Sequence, residues 1–96
     1  MKVSKILSID ILLLEVKSIL LDVANLPDLS IETLDVDMPL FDEGLGLDSI
    51  DVLELVVRLD RNYGLKIKND EKGRHVLRNV RCIAEAIHQQ QVQLHG

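Results

Sequence analysis

The chain has 96 residues and a mass of 10.8 kDa, enough for one domain and one small core, so 1–96 reads as a single domain without a separate substrate-binding unit. Hydrophobic residues make up 47%, but there is no Trp, one Phe (Phe41) and one Tyr (Tyr63), so the core must be aliphatic and base stacking on nucleic acid is disfavoured. Lys and Arg number 11 against 16 Asp and Glu, and the net charge of -5 repels phosphate backbones and acidic membranes while favouring basic protein partners.

At the N-terminus, Lys2 and Lys5 precede an apolar run from Ile6 to Leu14 and imitate the opening of a secretion signal. Asp10 interrupts that run, Glu15 and Lys17 follow it, and no small-residue cleavage site appears. The same charges argue against stable membrane insertion, since a spanning helix needs about 20 predominantly apolar residues. Instead, Ile9, Leu12, Leu13, Val16, Ile19, Leu20 and Val23 fall at the spacings of an amphipathic helix, with Ser8 as its N-cap.

From Asn25 to Leu47 there is no helical period, and Pro27, Pro39, Gly44 and Gly46 predict a long loop. Leu26, Leu29, Leu34, Leu40 and Phe41 are placed to pack it onto the core. A second helix is expected from Asp48, its cap, to about Asn62, with Asp51 in the first turn and Gly64 as its stop. At 100° per residue, Val52, Leu53, Leu55, Val56, Val57, Leu59 and Tyr63 form a broad apolar arc opposite Asp51, Glu54, Arg58 and Arg61. Asp60 falls inside that arc near its edge, unexplained by the pattern.

Between Lys66 and Arg78 the chain turns polar and basic (KIKNDEKGRHVLR), and with Ile67, Val76 and Leu77 as anchors it predicts a short or irregular helix. Asn79 caps a final helix whose stripe is Val80, Ile83, Ala84 and Ile87, followed by a Gln-rich tail expected to fray. The single cysteine, Cys82, lies off that stripe and has no second thiol to pair with, which fits a reducing cytoplasm.

An enzyme needs a nucleophile with its base, an acid pair or a metal cluster. His75, His88 and His95 lack ligand-like spacing and read as solvated surface residues, so no metal is assigned to them. The segment 35–46 resembles a calcium loop in outline, but Pro39 holds the fifth position, Leu40 replaces the turn glycine and Gly46 stands where the bidentate Glu belongs. Ser49 stands apart. In GLGLDS it opens a helix whose unpaired N–H groups favour an anion, which suits a phosphate ester, although a second capping residue explains the same pattern. A nucleophile elbow needs glycines where this chain has Leu47 and Asp51.

The run FDEGLGLDSIDVLELVVRLDRNYGLKI, from Phe41 to Ile67, resembles the core of an acyl carrier protein, the family whose serine in a DSL or DSI motif bears 4'-phosphopantetheine derived from coenzyme A. The resemblance implies that Ser49 is the attachment site and that Asp48 caps the helix and assists the modifying transferase. Leu47, Ile50, Asp51, Leu53, Glu54 and Val57 then belong to the partner-binding face. It implies an all-α four-helix bundle with a long loop between the first and second helices and a short third helix.

It further implies a cytoplasmic, monomeric, non-catalytic carrier of acyl intermediates as thioesters in fatty-acid, specialised lipid or polyketide-like biosynthesis. Its partners are a phosphopantetheinyl transferase, an acyl-loading enzyme, and a ketosynthase with related acyl-processing enzymes. An acyl chain is expected to shelter between helices near Leu53, Val57 and Ile83. The sequence departs from carriers of primary fatty-acid synthesis by placing Arg58 and Arg61 late in the second helix, Lys68 where a Pro is common, and Lys72, Arg74, His75 and Arg78 in the third. Partners that read a mixed-charge surface follow from this. An aminoacyl or peptidyl carrier and an unmodified helical interaction module are the rival expectations.

Overall fold

A computed structural model of the chain describes residues 7–24, 29–41, 44–68 and 70–95, and among these the regular structure is entirely helical. The elements are α1 (Ile9–Ala24), α2 (Ser49–Tyr63), α3 (Glu71–Val76) and α4 (Val80–His95). Leu26, Lys2 and Lys5 lie outside the described residues, as does the His95 side chain.

α1 starts where expected, with the Ser8 hydroxyl accepting from the Ile11 amide at 3.3 Å. Leu12, Val16 and Leu20 are fully buried, and Ile19 and Val23 nearly so, while Ile11 and Leu14 face outward. The apolar run that imitates a secretion signal is therefore divided between core and surface. α4 begins on the Asn79 side chain, which accepts from the Cys82 amide at 2.8 Å, and sets Val80, Ile83, Ala84 and Ile87 fully inside. α1 packs against both α4 and α2, and α3 closes against α4. Each fully buried Leu or Ile in this core contributes roughly 1.5–3 kcal/mol.

α2 enters the core through Leu55 and Leu59, both fully buried. Within the broad apolar arc, Val52, Val56 and Tyr63 pack partly against the core, while Leu53 and Val57 stay exposed. Asp60 finds its explanation in Lys66, whose ammonium lies 3.1 Å from it across the helix end. That end is set by Gly64, whose φ of 68° is the left-handed conformation in which glycine meets no Cβ penalty. Tyr63 ties α2 to α1 by donating to Glu15 at 2.6 Å. Burial, and then the Glu15 carboxylate, push the phenol above its ordinary pKa.

The connection before α2 packs as expected in its described part. Leu34 and Leu40 are buried, and Leu29 and Phe41 pack partly against the core. The Arg81 amide donates to the Val36 carbonyl at 3.1 Å, and the Arg81 guanidinium pairs with Asp37 at 2.7 Å.

Two expectations fail at the C-terminus. The glutamine-rich segment is helical rather than frayed, because α4 continues to His95 and two of its glutamine amides are used. Gln91 is buried and accepts from the Leu7 amide at 3.1 Å, and Gln90 donates to the Tyr63 carbonyl at 3.0 Å. These side chains satisfy backbone groups at helix ends that have no intrahelical partner. His88 is likewise part-buried, its Nδ1 sitting 3.1 Å from the Leu7 carbonyl, whereas His75 is exposed as expected.

Candidate functional site

The start of α2 is organised by Asp48, which is extended at φ -94° and ψ -179°. Its carboxylate accepts from the Asp51 amide at 2.9 Å, and its own amide donates back to the Asp51 carboxylate at 3.4 Å. This reciprocal capping box leaves Ser49 as the first helical residue, free of any capping duty. The capping hydrogen bonds at this helix start are thus made by Asp48 and Asp51. The Ser49 side chain is exposed, and its hydroxyl has no hydrogen-bond partner among the described residues. It projects from the positive end of a 15-residue helix.

Beside Ser49 runs a groove of about 890 Å³ between the first turns of α2 and the α3 region. Val52, Val56, Ile67 and Leu77 give it apolar walls, and Lys68, Arg74 and Arg78 bring positive charge to it. Its closed side depends on Gly73: a Cβ there would stand 1.8 Å from the Lys68 carbonyl oxygen, so the backbones meet only because the side chain is missing. Asp70 caps α3 by accepting from the Gly73 amide at 2.9 Å, which holds that close approach in place.

The expected partner face separates into three parts. Ile50, Leu53 and Val57 are 73%, 65% and 44% exposed and form one stripe along α2. Glu54 is exposed beside them but lies 3.7 Å from Arg58, which also reaches Asp22 at 2.6 Å. Asp51 is engaged in the capping box, and Leu47 is buried in the core, where its amide donates to the Leu40 carbonyl at 2.9 Å. Leu47 therefore lies off the exposed stripe and lines the groove beside Ser49.

The residues named for an acyl shelter occupy different environments. Ile83 is fully buried, Val57 faces outward, and Leu53 lines the groove together with Val52 and Val56. Lys68, Arg74 and Arg78 read in the sequence as altered surface charges, and nothing there marked them as neighbours of Ser49. The i, i+4 pair Val52 and Val56 was the available signal, since it continues the apolar arc toward the serine end.

Cys82, His75, Glu85 and His88 line a smaller depression of about 580 Å³ on the far side of α3. Among the described residues no group of three or more His, Cys, Asp or Glu is arranged to hold a metal ion. No described helix is long and apolar enough to cross a membrane.

The family described as "Phosphopantetheine attachment site" matches residues 15–71, from α1 to the first residue of α3. No curated protein and no solved structure matches the sequence.

Proposed function

The chain belongs to the phosphopantetheine attachment-site family and is a carrier of covalently attached 4'-phosphopantetheine, and from that premise we propose that Ser49 is the attachment residue. The observation that carries this is the division of labour at the helix start. Asp48 and Asp51 do the capping, and the Ser49 hydroxyl stands exposed with no partner among the described residues.

The residues fit a phosphodiester at that oxygen. The free N–H groups of the first turn and the helix dipole favour an anion there by about 0.3–1 kcal/mol. Asp48 holds the serine at the helix start through one carboxylate oxygen, and its second is available to the modifying transferase. When bound, the group supplies a thiol on a flexible tether, which holds acyl cargo as a thioester at an effective concentration that reaches the millimolar range for short tethers.

The chain itself is the non-catalytic member of the system. Ile50, Leu53 and Val57 offer partner enzymes an exposed apolar stripe next to the attachment point, with Glu54 at its edge. Those partners are a phosphopantetheinyl transferase, an acyl-loading enzyme and a ketosynthase with its accessory enzymes. The groove with apolar walls supports acyl cargo, and the basic α3 region supports a dedicated carrier in specialised lipid or polyketide-like synthesis. The chain acts as a monomer in the cytoplasm.

The test is the intact mass of the protein before and after incubation with coenzyme A, magnesium and a broad-specificity phosphopantetheinyl transferase. The wild type should gain one phosphopantetheine, or already carry it, and Ser49→Ala should carry and gain none. Modification of Ser49→Ala to the same extent would overturn the assignment.

A further inference from the structure

Of the described cations, three are held in ion pairs, three line the groove beside Ser49, and Lys17, Arg61 and Lys72 lie outside both groups. Arg58 pairs with Asp22 and Glu54, Lys66 with Asp60, and Arg81 with Asp37. Lys68, Arg74 and Arg78 share the groove beside Ser49, and none has an ion-pair partner among the described residues. The one acid in that groove, Asp48, already accepts the Asp51 amide through one oxygen. On a chain of net charge -5, three cations therefore gather around a groove that holds a single described carboxylate, which leaves a local excess of positive charge.

The backbone brings this charge toward the serine. The Arg78 carbonyl accepts from the Leu40 amide at 3.1 Å, and the Leu40 carbonyl accepts from the Leu47 amide at 2.9 Å. Leu47 is two residues before Ser49, so Arg78 is joined to the start of α2 through a two-step hydrogen-bonded path. Arg74 lies one helical turn earlier. Like charges lining one concave surface repel one another, and apolar walls strengthen their field, so the arrangement favours an anion in the groove. The planar guanidinium fork suits a phosphate oxygen pair in particular.

We propose that Arg74 and Arg78, assisted by Lys68, hold the phosphodiester on Ser49 and lay the arm along the α2–α3 groove. This rests on Ser49 being the attachment residue. The arm is then docked between partner visits, and a partner must compete with the arginines to draw it out. Arg74 and Arg78 act as positioning residues toward the carrier's own prosthetic group.

The experiment uses the modified full chain, with modification first verified by intact mass, and reads the 31P resonance of its phosphodiester. The reference position is the same protein unfolded in urea. In the folded wild type the signal should be broadened and displaced from that reference, and 1 M salt, where the screening length falls to about 3 Å, should remove most of the displacement. The variant R74Q/R78Q should lose most of it at low salt, whereas Lys72→Gln, on an exposed α3 residue outside the groove, should retain it.

Far-UV circular dichroism matching wild type would show that the variants fold. Coincident resonances for wild type and R74Q/R78Q would overturn the proposal. If those variants slowed acyl transfer with the 31P signal unmoved, the cations would belong to an acidic partner surface, which also overturns it. A chain that neither carries nor gains the group, or that is modified at another residue, would instead sink the Ser49 assignment and the proposal with it.

Discussion

On the α1 side of α2, Asp22, Glu54 and Arg58 form a short chain of ion pairs at 2.6 and 3.7 Å. On the α3 side, Lys68, Arg74 and Arg78 surround a groove with apolar walls, with no described acid to pair them. Both regions look alike in the sequence, as scattered charges on amphipathic segments. The first satisfies itself across two helices, and the second lines an open groove without ion pairs among the described residues. Charge composition alone would have placed the function on the acidic face of α2, yet that face is partly neutralised by its own arginine.

Gly73 gives the largest expected effect and the sharpest way to break this contrast. Gly73→Ala puts a methyl 1.8 Å from the Lys68 carbonyl oxygen, a backbone atom that has no rotamer to yield. We expect a loss of roughly 1–3 kcal/mol in urea unfolding as α3 is forced away. Amide shifts should concentrate in residues 67–78 and leave the Asp22, Glu54 and Arg58 region unchanged.

The start of α2 gives an intermediate effect. Asp48→Ala removes the capping box and should cost roughly 0.5–2 kcal/mol, whereas Ser49→Ala should change stability by less than about 0.5 kcal/mol. Equal losses for the two would mean that Ser49 shares the capping after all, and urea denaturation of both variants decides it.

The smallest effect concerns the tie between the long loop and α4. The hydrogen bond from Arg81 holds the Asp37 carboxyl below the usual Asp pKa, against an opposing desolvation that is larger than the added effect of the Arg81 charge. A depressed folded-state pKa contributes stability that is present above the unfolded value and lost as pH falls through the folded one. Asp37→Asn should therefore be slightly less stable than wild type near neutrality, and the gap should close as the solution is acidified below the ordinary Asp range. A thermal-unfolding series against pH checks this, and a gap that persisted in acid would contradict it.

Much of this molecule was legible in the sequence where a local rule governed. The caps Ser8, Asp48 and Asn79, the stop at Gly64 and the stripes of α1 and α4 follow from helix geometry alone. The place of Ser49 at the exposed start of α2 was legible too, because a motif of six residues carries the helix start. The losses occurred where tertiary partners decide. Gln90, Gln91 and His88 look like a polar tail until Tyr63 and Leu7 present unsatisfied backbone groups to them. Leu53 and Leu55 are equally apolar in sequence, and only the position of α1 makes one exposed and the other buried. The basic groove required α3 to fold back beside Ser49, which no periodicity encodes.

The central claim is that one serine is chosen by its place at a capped helix start, and the chain offers five to choose from: Ser4, Ser8, Ser18, Ser30 and Ser49. The most direct test is peptide mapping by tandem mass spectrometry of the transferase-modified wild type. The phosphopantetheine mass is expected on the peptide carrying Ser49 alone. Modification at any other serine, or none on a folded chain under conditions that load a control carrier, would contradict the account.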